Sequence, residues 1–223
     1  MKRAIPPLIL NNSLLALPFL YRSKFVNYET NLTADGVSDL LSQLGSVLEL
    51  AGDIVECGSS RCGASVIMAN WLRSFATAKR IYACDSFQGF DKDELRRERV
   101  NGLTTAPEAA FTSTSYDYVR KKIAKLRVDD IVVPVRGFFK DTLPHLNGTF
   151  CFALIDCDLR ESILYSAETM WPNLVSQGRM LFDDYTDKEF SGARLGVDCF
   201  IDKHGKDIEE RRLLKRLYLV KKV

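Results

Sequence analysis

The chain has 223 residues, of which 46% are hydrophobic and 27% are charged, and its formal net charge is +2. This composition is that of an ordinary globular domain, so disordered, collagen-like and low-complexity classes are excluded. The near-neutral charge argues against a nucleic-acid surface, and no uncharged apolar run approaches the roughly 18 residues that cross a bilayer. We expect one domain with a short appendage, without a nucleic-acid or membrane partner.

The N-terminus is mostly apolar and needs separate treatment. Lys2 and Arg3 precede the apolar stretch, as in a signal peptide. Prolines and asparagines interrupt this stretch, however, and no clear small-x-small cleavage site follows it. We predict that residues 1–33 form a lid or interface segment, which would cover the domain or a partner subunit of a homo-oligomer. Residues 34–223 would form the domain itself.

Cysteine and histidine usage indicates the compartment and excludes several kinds of site. No Cys-x-x-Cys pair occurs, and most of the cysteines lie in or beside apolar runs. Reduced core thiols in a cytoplasmic protein are therefore expected. With two histidines in the chain, a zinc site or a histidine-based catalytic triad is not expected. The six cysteines are Cys57, Cys62, Cys84, Cys151, Cys157 and Cys199.

From residue 34 onward, helix and strand patterns alternate. Helical spacing of apolar residues predicts helices at 34–50, 65–75, 115–126, 161–174 and 193–204, with a solvated, highly charged helix at 93–99. Apolar runs predict strands at 53–57, 80–84, 131–135, 149–155 and 178–182, and residues 207–223 hold two closing strands. Apolar strands alternating with helices are typical of a doubly wound, Rossmann-like α/β sheet with helices on both faces. Such sheets bind ligands at the carboxyl ends of their strands.

The first predicted strand leads into a glycine turn that runs from Gly58 to Gly63. The turn is not Gly-x-Gly-x-x-Gly, which disfavours a nicotinamide site. It has the spacing of a Walker loop, but Ala64-Ser65 replaces the Lys-Ser/Thr that grips phosphate and magnesium, which disfavours a nucleotide triphosphatase. Glu56 suits a cationic ligand or a hydroxyl donor. The alternative is a structural turn in which Glu56 caps the next helix.

An acidic residue, Asp85, ends the second predicted strand. In this fold class a carboxylate at that position accepts hydrogen bonds from the two hydroxyls of a ribose. The alternative is an Asx turn, in which the side chain binds its own backbone. Together with the glycine turn, Asp85 favours ribose binding.

Two carboxylate pairs follow later strands, Asp156 with Asp158 and Asp183 with Asp184. If the strands are neighbours, the four carboxylates meet at one edge and raise one another's pKa. Hard divalent cations with oxygen ligands relieve that repulsion, so Mg²⁺, Mn²⁺ and Ca²⁺ are the candidates. The alternatives are that Asp158 caps the following helix and that Asp183-Asp184 is a plain turn.

Taken in order, six segments resemble the macrocin O-methyltransferase (TylF-type) family. The segments are GDIVECG at 52–58 with RCG at 61–63, DSFQG at 85–89, GFFKDTLP at 137–144, DCDLRES at 156–162, FDDY at 182–185 and GAR at 192–194. The resemblance covers roughly residues 30–205. It implies a class I methyltransferase fold, S-adenosylmethionine as cofactor, and an active site that depends on magnesium or manganese.

The resemblance also implies a role for each candidate residue. Asp156, Asp183 and Asp184 would be the metal ligands, and Asp158 the general base that receives the proton of the acceptor hydroxyl. Glu56 and Arg61 would hold the methionine end of the cofactor, and Asp85 the ribose. The remaining cofactor-binding residues would be Gly58, Ser60, Gly63, Ser86, Gly137 and Phe138, of which the last two would border the adenine.

The sequence thus predicts an enzyme that moves a methyl group to a hydroxyl of a small molecule, namely a sugar or a glycosylated natural product. Two alternatives remain open. One is a catechol-type methyltransferase that shares the fold and the metal but takes a phenol. The other is a non-catalytic binding module on the same fold.

Overall fold

The computed structural model describes residues 28–213 and 216–222. Its seven strands are β1 (Asp53–Cys57), β2 (Ile81–Asp85), β3 (Val132–Arg136), β4 (Phe150–Ile155), β5 (Leu174–Phe182), β6 (Ile208–Leu213) and β7 (Leu217–Lys221). They form one sheet of order β3-β2-β1-β4-β5-β7-β6. The first five strands run parallel. Strand β7 is antiparallel to both of its neighbours, β5 and β6. The predicted doubly wound sheet is confirmed.

The described part of the chain has seven α-helices, of which the first precedes β1 and the other six lie between strands. They are α1 (Ala34–Gly45), α2 (Gly63–Leu72), α3 (Lys92–Val100), α4 (Tyr116–Leu126), α5 (Phe139–Thr142), α6 (Arg160–Met170) and α7 (Gly192–His204). Side-chain caps fix where several of them begin. The Thr33 hydroxyl accepts from the Gly36 amide at 3.4 Å, and the Ser115 hydroxyl accepts from the Tyr118 amide at 3.2 Å.

Three helices end earlier than the sequence predicts, and one of them, α2, ends at Leu72 and continues as a 3₁₀ turn at Arg73–Phe75. Helix α1 stops at Gly45 rather than at residue 50, because the chain tightens into i→i+3 bonds such as the one from the Val47 amide to the Leu44 carbonyl at 3.2 Å. Helix α6 stops at Met170, two residues before Pro172, which has no amide hydrogen to continue the helix. The residues released there lengthen β5, which begins at Leu174.

Two apolar cores cover the two faces of the sheet. Helices α1, α2 and α4 contribute Leu40, Met68 and Val119 to the first core. Helices α6 and α7 contribute Ala167 and Phe200 to the second. The central strands β1 and β4 are therefore buried on both faces along nearly their whole length, which explains why they are near-continuous apolar runs. The edge strand β3 is mostly half-buried.

The strand register brings the carboxyl ends of β1, β2, β4 and β5 side by side. Cys57 at the end of β1 pairs with Cys84 of β2 and with Ile155 at the end of β4. Ile155 pairs in turn with Phe182 at the end of β5. Because β1 lies between β2 and β4, the chain order reverses at this point, and a crevice opens outside these strand ends.

Five of the six cysteines are buried, only Cys199 is exposed, and all six are free thiols.

Among the described residues, no helix combines the length and the hydropathy that crossing a membrane requires. Residues 1–33 are the predicted lid or interface segment, and residues 1–27 of it lie outside the described residues. Residues 29–33 line the cavity at the crevice.

Candidate active site

A cavity of about 530 Å³ opens at the carboxyl ends of β1, β2, β4 and β5. It is lined by all thirteen residues that the sequence singles out, although they come from five separate segments. They are Glu56, Gly58, Ser60, Arg61, Gly63, Asp85, Ser86, Gly137, Phe138, Asp156, Asp158, Asp183 and Asp184.

The glycine turn packs against the end of β4. Gly58 has φ +95°, and a Cβ atom placed there would lie 1.7 Å from the Asp156 carbonyl oxygen. Only glycine permits both this conformation and this approach. The Ser60 amide donates to Asp85 Oδ2 at 2.8 Å, so the turn is also tied to the end of β2. Helix α2 then begins at Gly63, with its free amides at the cavity.

Glu56 is a buried carboxylate beneath this turn. Its side chain is 1% exposed and accepts a hydrogen bond from the Ser65 hydroxyl. Burial raises the pKa of Glu56 to about 7. The backbone of Ser65, the third residue of α2, also hydrogen-bonds to Glu56, so the capping alternative is present in the structure. Glu56 nevertheless lines the cavity as well.

The carboxylate of Asp85 links the ends of two strands. Its Oδ1 accepts from the Phe87 amide at 2.6 Å, which is the Asx turn named as the alternative. Its Oδ2 accepts from Ser60, and burial raises its pKa. Since a carboxylate has about four lone-pair sites, the two amides leave room for two further donors such as ribose hydroxyls. The Asx turn is therefore present in the structure, and ribose binding by Asp85 stays a prediction.

Ser86 and the turn after β3 complete that side of the cavity. The Ser86 hydroxyl donates to the Gly89 carbonyl at 2.6 Å, so it fixes its own turn. Gly137 has φ +146°, and its amide donates to the Asp85 carbonyl at 3.0 Å. Phe138 precedes α5 and lines the cavity.

Arg61 belongs to a charged network at the opposite side. Its guanidinium lies 3.5 Å from Glu29 Oε1 and donates to the Ser113 hydroxyl at 2.9 Å. Beneath it, Lys122 Nζ donates to the Arg61 carbonyl at 2.7 Å and lies 3.1 Å from Glu29 Oε2. Burial lowers the pKa of Lys122, and Glu29 opposes that shift. This network fixes the loop that carries Arg61 and ties it to α4.

Three carboxylates converge where β4 and β5 end. One ligand oxygen from each of Asp156, Asp183 and Asp184 lies within 4.8 Å of the others. Burial and mutual repulsion raise the pKa of Asp156 well above its usual value, and burial raises the pKa of Asp184 to about 7. Asp183 forms an ion pair with Arg216, a buried residue just before β7 that also donates to the Gly36 carbonyl at 2.7 Å.

Asp158 lies beside this triad and does not cap helix α6. The residue before the helix is Leu159, which makes no side-chain cap. Asp158 instead has φ +60°, and its amide donates to Asp184 Oδ2 at 3.1 Å. Burial, followed by the Asp184 carboxylate, raises the pKa of Asp158 well above its usual value. The helix-cap alternative is therefore wrong for this residue.

The start of α6 is capped from α3, and this corrects the prediction that α3 is a solvated helix. Glu94 accepts from the Ser162 amide at 2.8 Å and from its hydroxyl at 2.6 Å. Glu98 accepts from the Arg160 amide at 3.2 Å. Both glutamates are buried, because they satisfy free amides at the positive end of α6. Sequence charge density alone did not distinguish this buried face from the exposed one.

Several residues that line the cavity were not identified from the sequence. Arg216 lies 33 positions from Asp183 in a turn without a motif, so no signal pointed to it. Ser59 lies within the glycine turn and could have been identified; its buried hydroxyl has no hydrogen-bond partner among the described residues. Three phenylalanines also line the cavity, namely Phe90, Phe111 and Phe190.

The sheet order and the site at the switch in strand order define a methyltransferase-like, doubly wound α/β protein. The fold is similar to that of the O-methyltransferase NovP, with a TM-score of 0.72 and 24% sequence identity over 84% of this chain and 79% of that one. Residues 38–210 match the model of the macrocin-O-methyltransferase (TylF) family. The chain belongs to this family, as the motifs predicted.

Two curated relatives share this similarity. One is the 8-demethyl-8-(2,3-dimethoxy-α-L-rhamnosyl)-tetracenomycin-C 4′-O-methyltransferase of Streptomyces olivaceus, which is 33% identical over 146 residues. The other is the demethyldecarbamoylnovobiocin O-methyltransferase of Streptomyces niveus, which is 31% identical over 140 residues. Each match covers 60% of this chain and 53% of the relative, so the chain spans about half the length of the curated relatives it matches.

Proposed function

We propose that the protein transfers a methyl group from S-adenosylmethionine to a hydroxyl of a small molecule, in a reaction that requires Mg²⁺ or Mn²⁺. The observation that carries this proposal is the position of three converging carboxylates, with oxygens within 4.8 Å of one another, in the same cavity as the glycine turn. Membership in the TylF family supports methyl transfer.

The donor set fits a hard divalent cation. Asp156, Asp183 and Asp184 offer oxygen atoms alone, which Mg²⁺ and Mn²⁺ prefer. Arg216 pairs with Asp183. Burial raises the pKa of Asp156 and of Asp184, and repulsion between the carboxylates adds to the shift of Asp156; a cation bound to the triad would relieve that repulsion and favour the ionised carboxylates. A cation held there would lower the pKa of an acceptor hydroxyl and orient it.

Asp158 is the residue that we assign to receive the proton of that hydroxyl. Two observations support this role: Asp158 lines the same cavity as the triad, and its backbone amide donates to Asp184 Oδ2. A cation bound beside it would favour the ionised carboxylate, which is the form that accepts a proton.

The other side of the cavity would hold the cofactor, whose sulfonium supplies an already activated methyl group. Glu56 and Arg61 would bind its methionine end, and Asp85 its ribose. The backbone of the turn from Gly58 to Gly63, which includes Ser60, would approach the cofactor closely. The unpartnered Ser59 hydroxyl supports this arrangement, because a buried hydroxyl without a partner is costly unless a ligand binds it. Gly137 and Phe138 would border the adenine, and Ser86 would be a further cofactor-binding residue.

For the acceptor we propose a sugar hydroxyl of a glycosylated natural product. The name of the Streptomyces olivaceus relative supports this, because it specifies 4′-O-methylation of a rhamnosyl-tetracenomycin. Apart from this acceptor, the partner we propose is a second copy of the chain in a homo-oligomer.

A methyl-transfer screen tests the proposed function. Purified protein is incubated with S-adenosylmethionine and with sugar, polyol and catechol acceptors, in Mg²⁺ and in EDTA. We expect a methylated glycoside in the reactions that contain Mg²⁺ and none in the reactions that contain EDTA. Preferred methylation of catechols would favour the phenolic alternative. Tight binding of S-adenosylhomocysteine without transfer to any acceptor and without metal dependence would favour the binding module.

A further inference from the structure

Tyr185 follows the carboxylates of β5 directly in the chain, but the proposed chemistry gives it no role. It is the last residue of the FDDY segment at 182–185. Its neighbours Asp184 and Thr186 line the cavity, whereas Tyr185 is 6% exposed and belongs to the second apolar core. Tyr185 therefore lies behind the carboxylate triad rather than in the space that is open to a ligand.

Two other elements hold the Tyr185 hydroxyl. It donates to Asp198 Oδ1 of α7 at 2.8 Å and accepts from Arg211 Nη2 of β6 at 2.9 Å. Arg211 Nη2 also lies 3.8 Å from Asp198 Oδ1, so the three groups form a closed network. Hydrogen bonds with one charged partner are roughly twice as strong as those between neutral groups. The tip of the Tyr185 side chain is therefore fixed by two charged groups.

The ring of Tyr185 is covered by two guanidinium groups. Arg194 Cζ of α7 lies 5.5 Å from the ring centroid and Arg211 Cζ lies 5.9 Å from it, both within the roughly 6 Å over which a cation is attracted to a ring. Arg194 Nε also lies 3.6 Å from Asp198 Oδ2. Asp198 thus holds both arginines against Tyr185. We call Asp198, Arg194 and Arg211 the tyrosine clasp.

The backbone links Tyr185 to the triad over a single residue. Asp184–Thr186 form one 3₁₀ turn, which the Asp187 amide closes by donating to the Asp184 carbonyl at 3.0 Å. The Asp184 side chain accepts in turn from the Asp158 amide at 3.1 Å. A displacement of Tyr185 would therefore displace Asp184 and loosen its bond to Asp158.

We propose that Tyr185 is a positioning residue, which the tyrosine clasp holds so that Asp184 keeps the orientation that binds the cation. This inference rests on the proposed function, because the cation is the one proposed for the triad. Mg²⁺ demands near-ideal octahedral geometry with oxygen ligands at about 2.0–2.1 Å, so it tolerates little displacement of a ligand. Arg216 supports Asp183 by an ion pair, and Tyr185 gives Asp184 a support of its own.

Tyr185→Phe tests the inference, because it removes the hydroxyl and keeps the ring. The matched control is Tyr218→Phe in the first apolar core, on the other face of the sheet. Tyr218 is also buried, its hydroxyl donates to Glu210 Oε1 and accepts from Arg212 Nη1, both at 3.4 Å, and Arg179 Cζ lies 5.2 Å from its ring centroid. The control therefore removes the same kind of contact at a distance from the triad.

The first readout is hydrogen exchange of the Asp158 amide, measured by NMR on the full chain without metal. This amide donates to Asp184 Oδ2, so its exchange rate reports whether Asp184 keeps its position. We expect Tyr185→Phe to accelerate the exchange roughly tenfold, the effect of losing one hydrogen bond to a charged group. Tyr218→Phe should leave the rate within about twofold. An unchanged rate in Tyr185→Phe, or the same acceleration in Tyr218→Phe, overturns the inference.

The second readout is the Kd of Mn²⁺, measured by calorimetric titration in the presence of S-adenosylhomocysteine. Tyr185→Phe should raise this Kd roughly tenfold, while Tyr218→Phe leaves it within about twofold. The Kd of S-adenosylhomocysteine should stay near that of the wild type in both variants. If the wild type binds no Mn²⁺, the proposed metal dependence fails, and this inference fails with it. If the wild type binds Mn²⁺ and Tyr185→Phe binds it equally well, the inference alone fails.

Discussion

Replacing Glu56 by glutamine tests whether a buried carboxylate in the cavity destabilises the fold. Glu56 is 1% exposed and accepts a hydrogen bond from the Ser65 hydroxyl. Burial is the main reason that its pKa rises from 4.5 to about 7. Glutamine has the same shape and can accept the same hydrogen bond, but it cannot ionise.

The sign and size of the effect follow from proton linkage. The unfolded chain ionises Glu56 near pH 4.5, whereas the folded protein ionises it only near pH 7. The folded state therefore loses stability as the pH rises through this window, and the full loss is present above it. A pKa raised from 4.5 to about 7 corresponds to about 3 kcal/mol in the free energy of unfolding.

Urea denaturation at pH 5 and pH 8, without metal or cofactor, measures this loss. The advantage of Glu56→Gln over the wild type should grow by about 2–3 kcal/mol between the two pH values. Glu49→Gln, the same substitution at an exposed glutamate, is the control and should show no such growth. A constant difference between Glu56→Gln and the wild type at both pH values would refute the reasoning.

The same variant tests the proposed role of Glu56 at the cofactor. Loss of a charge-assisted hydrogen bond to the ammonium of the methionine end is worth about 1.5–3 kcal/mol, so the Kd of S-adenosylhomocysteine at pH 8 should rise at least roughly tenfold. Calorimetric titration measures this constant. An unchanged Kd would remove Glu56 from the cofactor site, whatever its effect on stability.

Three further substitutions test other parts of the account. Gly58→Ala places a Cβ 1.7 Å from the Asp156 carbonyl oxygen, so calorimetry should show loss of cofactor binding even where circular dichroism shows a folded protein. Arg216→Gln removes the ion-pair partner of Asp183; by differential scanning fluorimetry the metal-free Tm should fall and the Mg²⁺-induced rise in Tm should increase. Glu94→Ala leaves an amide and a hydroxyl at the start of α6 without their acceptor, which should cost about 1–3 kcal/mol in urea denaturation.

The sheet and the positions of the candidate residues could be predicted because local patterns determine them. Buried parallel strands are near-continuous apolar runs, and the residues that follow them lie at one edge by topology. The convergence of Asp156, Asp183 and Asp184 followed from the order of the strands alone. The roles of these residues as metal ligands, and of Asp158 as a base, stay predictions.

The remaining features depend on contacts between distant segments. The sequence suggested Asp158 as a possible cap for α6, but Glu94 and Glu98 of α3 accept from the amides at the start of that helix. Arg216 reaches Asp183 from a turn in the closing strands. The rings of Phe90, Phe111 and Phe190 meet in the cavity although they come from three segments that no local pattern connects. Tertiary packing alone determines which of these side chains meet.

The most direct test of the central claim is kcat measured against Mg²⁺ concentration for Asp183→Asn and Asp158→Asn beside the wild type. Asp183→Asn removes charge from the proposed cation site, so its activity should need more Mg²⁺ and be partly restored by excess. Asp158→Asn keeps the side-chain shape but cannot accept a proton. Its kcat should fall by roughly 10²–10⁴ at every Mg²⁺ concentration, while the Kd of S-adenosylhomocysteine stays near that of the wild type. Full activity of Asp158→Asn would contradict the assignment of the base. If neither Mg²⁺ nor EDTA changed the turnover of the wild type and of both variants, the metal site would be contradicted.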